Sequence, residues 1–335
     1  MNRMVRAIAL SIAGIVSCTS VAGCGAAQAA LGIQEPPKAN TASAPLTVDQ
    51  AERILSRELA AAQQSEATTG AAAAAALRTA YTGEGLRAAT ARVKLAAVRR
   101  AGTDSPLLAP QQPRLLAVSR GFGYPRVMVA QTVPSGGLFP ILHLLTSPDA
   151  ATPYRISASA TMLPSSTIKP FDPLGQGSPL TDGTELAVTP SVLLNVYAAR
   201  MAFPTKAVAN PPFAADSFSA QVRAKAAAVA KAVVTQSSFS QVHKVVPDSV
   251  YAVRQANGDA LVFGVIVRTD SFAVKSGQAV NTAAGKEFVL LSGKKLSTKS
   301  ASITTLEFVV FAVPRSTGHA TLVAASEQVV AGSGS

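Results

Sequence analysis

Few residues in this chain have the type and spacing that chemistry demands. There are three histidines. His143 sits in an apolar run between Leu142 and Leu144, His243 in a second strand-like run, and His319 in a loop-like stretch. No two of them have the spacing of metal ligands, and His143 reads as a partly buried structural imidazole. Ser166-Thr167-Ile168-Lys169 has the S-x-x-K spacing of penicillin-binding serine enzymes, in which a helix places the lysine one turn beyond the serine, as its base. Pro170 follows at once, and neither S-D-N nor K-T-G occurs. The spacing therefore lacks the helix its chemistry needs. Gly121-Phe122-Gly123 begins like a phosphate-binding loop, but it has no third glycine and no helix behind it, so it reads as a hairpin turn. Asp270, Glu287 and Glu307 are carboxylates that spacing alone does not pair. No catalytic residue, metal site or cofactor is expected. A hydrolase whose acid and base lie far apart in sequence is the enzymatic alternative.

The two cysteines, Cys18 and Cys24, both fall near the N-terminus. Arg3 and Arg6 precede an apolar run at 7–16, and small residues follow it. That order is a secretory signal. The small-residue end, Val21-Ala22-Gly23, runs directly into Cys24. It resembles the lipobox of bacterial lipoproteins. The resemblance implies that residues 1–23 are a signal peptide and that Cys24 carries diacylglycerol and opens the mature chain. Two other readings compete. An uncleaved anchor would have only about 16 residues, broken by Gly14, Ser17, Thr19 and Ser20, where a span needs about 20. A plain secretory signal cut after Ala29 or Ala30 would release a soluble protein. With Cys18 lost and Cys24 lipidated, no thiol remains for a disulfide, a nucleophile or a metal.

Composition narrows the classes further. Of 335 residues, 48% are hydrophobic and 14% charged, so a sizeable core is affordable and disorder is excluded. Trp is absent and aromatics are 5%, which argues against a surface of exposed rings for sugars or nucleic-acid bases. The formal charge is +12, and losing Arg3 and Arg6 with the leader lowers it to +10. Outside the cell such a charge faces anionic lipid headgroups or anionic cell-wall polymers, or simply aids solubility. Nucleic acid is not an expected partner.

The elements that would position any site follow from periodicity. Residues 24–46 are Ala- and Pro-rich without period and read as a lipidated cysteine on a flexible tether. Thr47-Val48-Asp49-Gln50 has capping-box spacing, and a helix is expected over 48–64. Helical patterns continue over 71–80 and, after Gly83 and Gly85, over 86–99. The basic residues Arg87, Arg92, Lys94, Arg99 and Arg100 are expected to form the solvated face of that last helix. Strand-like runs follow at 114–120, 125–132, 138–146 and 154–163, joined by short turns that suit antiparallel neighbours. In the last run Tyr154, Ile156, Ala158, Ala160 and Met162 are expected on one buried face, with a wetter face opposite. Four prolines and three glycines at 164–183 suggest a linker, placed at 165–188. Thr189-Pro190 then opens a helix, and Asp216 or Ser217 caps another that reaches about 234. Strands are expected at 239–246, 250–255, 261–274 and 303–313, with Asn257-Gly258 as a hairpin turn. Runs at 288–291 and 321–330 are expected to add edges, and 332–335 a disordered tail.

The fold class expected is α+β: two tandem domains, 47–164 and 189–331, each with helices packed on an antiparallel meander sheet. The layout resembles the cystatin-like and NTF2-like cone folds. Tyr124-Pro125-Arg126 leading a strand, and Val250-Tyr251-Ala252-Val253-Arg254 before a glycine hairpin, resemble a lipoprotein family of unknown function in high-GC Gram-positive bacteria. That resemblance spans about 45–330 and brings no catalytic residues. It implies an exported protein on the outer face of the cell membrane. The expected activity is non-enzymatic binding of an envelope protein or an anionic wall polymer. The alternative is a carrier of a small apolar ligand in a cone-shaped pocket.

Overall fold

Thr47 starts the first helix as its spacing predicts. Its side chain accepts from the Gln50 amide, and the Gln50 side chain accepts from the Thr47 N–H. Two backbone donors at the helix start are thereby paired reciprocally. The computed structural model describes residues 42–335, apart from 69, 97, 100–109, 136–138, 206 and 282–284. The lipobox residues Val21, Ala22, Gly23 and Cys24 lie outside the described residues.

The first half holds helices α1 (Val48–Ala67), α2 (Ala73–Ala80) and α3 (Gly83–Ala96). An antiparallel sheet follows in the order β1 (Pro110–Val118), β2 (Arg126–Pro134), β3 (Ile141–Ser147) and β4 (Arg155–Thr161). The second half repeats the plan with α4 (Pro190–Met201) and α5 (Ser217–Val233). Asp216 is the residue that caps α5, accepting from the Ser219 amide. The second sheet runs β11 (Thr321–Gly334), β10 (Ser300–Val313), β7 (Ala260–Val274) and β5 (Ser237–Val245). The short β6 (Tyr251–Arg254) also pairs with β7, across the Asn257-Gly258 turn. Two-residue strands β8 (Val280–Asn281) and β9 (Leu296–Ser297) flank a short helix, α6 (Lys286–Ser292). Mixed helix and antiparallel sheet is thus the class.

Side-chain alternation stacks these parts in four layers. In the first sheet Met128, Ala130 and Leu145 face α1 and α2, whereas Val127, Val129, Leu142 and Leu144 face away from them. In the second sheet Val262, Ile266, Val309 and Phe311 face α4 and α5, whereas Phe263, Val265, Leu306 and Phe308 face away. The two away-facing sets meet in one central core cluster. Both sheets are therefore covered on both faces. This explains why β3 is buried at every position and why these strands read as near-continuous apolar runs. Residues 40–335 form one compact unit.

The sheets also meet at their edges. Met162 bridges Ala324, and the Leu163 N–H donates to the Val323 carbonyl, joining β4 to β11. At the opposite seam Ser178 bridges Ser119 beside β1, and Leu180 bridges Val253 in β6. The segment expected as a linker, 165–188, is the strap that makes this second seam, and Ser178 within it is fully buried.

Four other expectations need correction. Tyr154 and Ile156 face the helices, whereas Ala158, Ala160 and Met162 face the other sheet. The register shifts there, with Leu144 opposite Ala158 and Leu145 opposite Ile156. Ser157 is the extra residue of a β-bulge, and one extra residue swaps the faces. The bulge also receives α3, since a Cβ on Gly85 would stand 2.6 Å from the Ile156 carbonyl oxygen. The run 288–291 is not a strand but part of α6, which Gly293 ends in a left-handed cap; a four-residue apolar run fits either period. The residues 332–335 are not a loose tail. β11 continues to Gly334, and the Ser335 carbonyl accepts from the amides of Thr298, Lys299 and Ser300. Lastly, the basic run expected on α3 is not wholly solvated: Arg92 on the helix and Arg99 beyond its end are mostly buried and ion-paired, while Arg100 lies outside the described residues.

Candidate functional site

A groove of about 1120 Å³ lies beside β1. Its walls come from α1, from β1 and from the proline-rich strap. Leu55, Leu115, Leu116, Met162, Ile168 and Phe171 give it an apolar floor. Glu52, Arg114, Gln131, Lys169 and Asp172 add polar groups. Its residues extend from Phe139 and Pro140, at one end of the first sheet, to Asp172–Leu174 near the other. A long trough of this lining suits an extended guest more than a compact one.

The strap is fixed rather than draped. Lys169 Nζ lies 2.6 Å from Asp259 Oδ2. Gln255 Nε2 donates to the Lys169 carbonyl, and the Ala256 N–H to that of Pro170. Arg120 donates to Asp172 at 2.9 Å and to the Gly177 carbonyl. Ser166 and Lys169 lie on this irregular strap, not on a helix. The S-x-x-K geometry is therefore not formed, and the Lys169 ammonium is already engaged by a carboxylate. Gly121-Phe122-Gly123 is the β1–β2 hairpin turn its glycines suggest.

The two strand histidines lie away from the groove, each in a buried polar network. His143 is fully buried, with Nε2 2.8 Å from Thr132 Oγ1 and Nδ1 2.9 Å from Ser159 Oγ. Nearby, Arg92 donates twice to Glu66, which also accepts from the Tyr81 hydroxyl. Burial pushes the Tyr81 phenol well up, and the Glu66 charge adds to this. Burial and then the Arg92 charge lower the His143 pKa to about 4. His143 is thus neutral when folded, whereas an unfolded histidine titrates near 6.5. The unfolded chain therefore binds the extra proton first. Stability from this group is complete above about pH 6.5 and is lost as pH falls toward 4. The loss expected is about 3 kcal/mol. Urea unfolding at pH 7 and pH 4 checks it: His143→Gln, which does not titrate, should lose about that much less than the parent. Equal losses would remove His143 as the cause.

His243 belongs to the second network, on the face of the second sheet toward α5. Its Nδ1 lies 2.9 Å from Glu307 and its Nε2 3.0 Å from Gln241. Arg268 donates to Glu307 at 3.0 Å and to Glu327 at 2.8 Å, and lies 3.3 Å from Asp270. Gln241 donates to Asp270, and Lys225 of α5 pairs with Glu327. Burial alone would raise the Glu327 pKa, but Arg268 and Lys225 together hold it below the ordinary value. Asp270 and Glu307, which spacing could not pair, are thus joined through Arg268, while Glu287 pairs elsewhere with Arg99. Both ring nitrogens of His143 and of His243 are engaged, so neither ring offers a free nitrogen to a substrate. His319 is exposed and lines a smaller cleft of about 500 Å³ on the other side of the strap.

A third concavity, about 420 Å³, lies under α6 and is lined mainly by Phe288, Leu291, Ile303, Val329 and Ala331. Among the described residues no group of three or more His, Cys, Asp or Glu side chains could hold a metal. No described helix is long and apolar enough to cross a membrane. The chain matches no family model, no curated protein and no solved structure.

Proposed function

We propose that this chain is an exported, lipid-anchored binding protein of the cell envelope, held at the outer face of the membrane through diacylglycerol on Cys24. Its groove beside β1 takes an extended segment of an envelope partner. The observation that carries this reading is the groove itself: long, open, apolar-floored and edged with single charges. Binding rather than catalysis is supported by the engagement of His143, His243 and Lys169 with other side chains. In this reading each half is a helix-on-sheet layer of the cystatin-like or NTF2-like kind, and the two are tandem relatives. The small apolar cavity under α6 favours a second reading, a carrier of a compact apolar ligand.

A photo-crosslinking amino acid at Phe171, on the groove floor, tests the proposal in intact cells. The expected result is one discrete adduct, weakened when Leu116, which also lines the groove, is replaced by Glu. The same probe at Val192, exposed on α4, should give no such adduct. Equal labelling from both positions would sink the groove reading. Native mass spectrometry of protein extracted gently from its own membranes would show a small guest directly, and a bound small molecule with no Phe171 adduct favours the carrier.

A further inference from the structure

We propose that the β1–β2 hairpin tip, Phe122-Gly123-Tyr124 with Arg126, is a contact with the interface of an anionic bilayer and seats the anchored protein on its membrane. The proposal rests on the lipid-anchor reading and adds to it the surface that faces the lipid.

Exposure singles out the tip. The chain has 12 Phe and 5 Tyr, and only Phe122, Tyr124 and Phe139 are exposed. Phe122 and Tyr124, at 41% and 40% exposed, stand two residues apart on one turn. Phe139 lies at the opposite end of the sheet, in the β2–β3 turn, and lines the groove. An isolated exposed ring needs no explanation, but a pair held together at a protruding turn does.

The turn also carries a cation in a fixed position. Arg126 donates from Nη2 to the Phe122 carbonyl at 3.0 Å, and its guanidinium lies 4.4 Å from the Tyr124 ring centroid. Tyr124, a ring with a polar handle beside an arginine, suits the headgroup layer, where one end of the group is apolar and the other wet, and Phe122 adds apolar surface next to it. The charges nearby do not oppose this. Arg120 is paired with Asp172. Asp149, in the β3–β4 turn at the same end of the sheet, is occupied by the amides of Ala151 and Thr152.

The point of attachment supplies the independent argument. The Gly121 N–H donates to the Ser43 carbonyl at 2.9 Å, so the described residues begin beside this very turn. Cys24 and Ala42 are 18 positions apart. Even fully extended, that length reaches at most about 65 Å. A lipid on Cys24 thus draws this end of the sheet toward the bilayer. The net charge of +10 without the leader favours an anionic surface over a neutral one.

The chain has no Trp, so Phe122→Trp provides a single optical probe. The mature lipoprotein is reconstituted in vesicles of phosphatidylcholine and phosphatidylglycerol, some with brominated acyl chains. Incorporation reports the anchor; quenching reports the tip. The expected result is incorporation, a blue-shifted emission and loss of intensity on brominated lipid, weaker in phosphatidylcholine alone. Val192→Trp, on α4, should incorporate equally and stay unquenched. Incorporation with an unquenched, water-like emission from Phe122→Trp would overturn the tip contact and leave the anchor standing. An emission unquenched by lipid but shifted by soluble polyphosphate would assign the tip to anionic polymer and overturn the proposal as well. Failure to incorporate at all would remove the anchor on which it rests.

Discussion

Arg268→Met is expected to destabilise the protein by about 3–5 kcal/mol at pH 7, the usual cost of removing one partner from a buried charge pair. The guanidinium reaches Glu307, Glu327 and Asp270. Glu307 is fully buried, and without Arg268 it keeps only the contact with His243 described above. Methionine replaces much of the side-chain volume, so the effect is chiefly electrostatic rather than a cavity. The deficit relative to the parent should shrink as pH falls, because Glu327 loses the guanidinium that holds its carboxyl below the ordinary value and, once protonated, no longer carries an uncompensated charge. Arg268→Lys should cost less but not nothing, since one ammonium cannot reproduce the planar fork. Denaturant unfolding across pH measures all three. A variant within about 1 kcal/mol of the parent at pH 7 would show that the network contributes little net stability.

The second large effect is one of location. Cys24→Ser is expected to move the protein from the membrane fraction to the medium. Each buried CH₂ contributes about 0.8 kcal/mol, so one acyl chain anchors marginally and two anchor stably. The Phe122–Tyr124 tip and the net positive charge give only a reversible, salt-sensitive attraction in comparison. Fractionation after a high-salt wash distinguishes them. A Cys24→Ser protein that stays on washed membranes would show that something other than lipid on this cysteine holds it.

Local structure was legible wherever one side chain or one turn decides it. Thr47 with Gln50, Thr189-Pro190, Asp216 and Asn257-Gly258 each start or turn an element where the sequence places it. What the sequence hid was which face of each strand meets which layer. Both sheets are covered on both sides, so alternation carries less contrast, and the Ser157 bulge breaks it outright. The buried networks left a fainter signal. Glu58 falls on the apolar stripe of Ala51, Leu55, Leu59 and Ala62, and it is buried against Arg57 and Arg155. Arg268 continues the apolar face of Val262 and Ile266 in β7. A charge on an otherwise apolar face demands a partner, but the partner's identity comes only from long-range pairing. The groove was illegible for the same reason, because its walls are drawn from residues more than a hundred positions apart.

The two seams bear on how copies of the chain behave at high local concentration. An unpaired strand edge is a template on which another chain can zip. Here β4 and β11 use theirs on each other through Met162 and Ala324. At the far seam the strap lies beside the β1 edge, and Pro113, inside β1, has no N–H to offer. At these two seams a neighbouring copy thus finds little backbone to recruit, which limits sheet-to-sheet aggregation there.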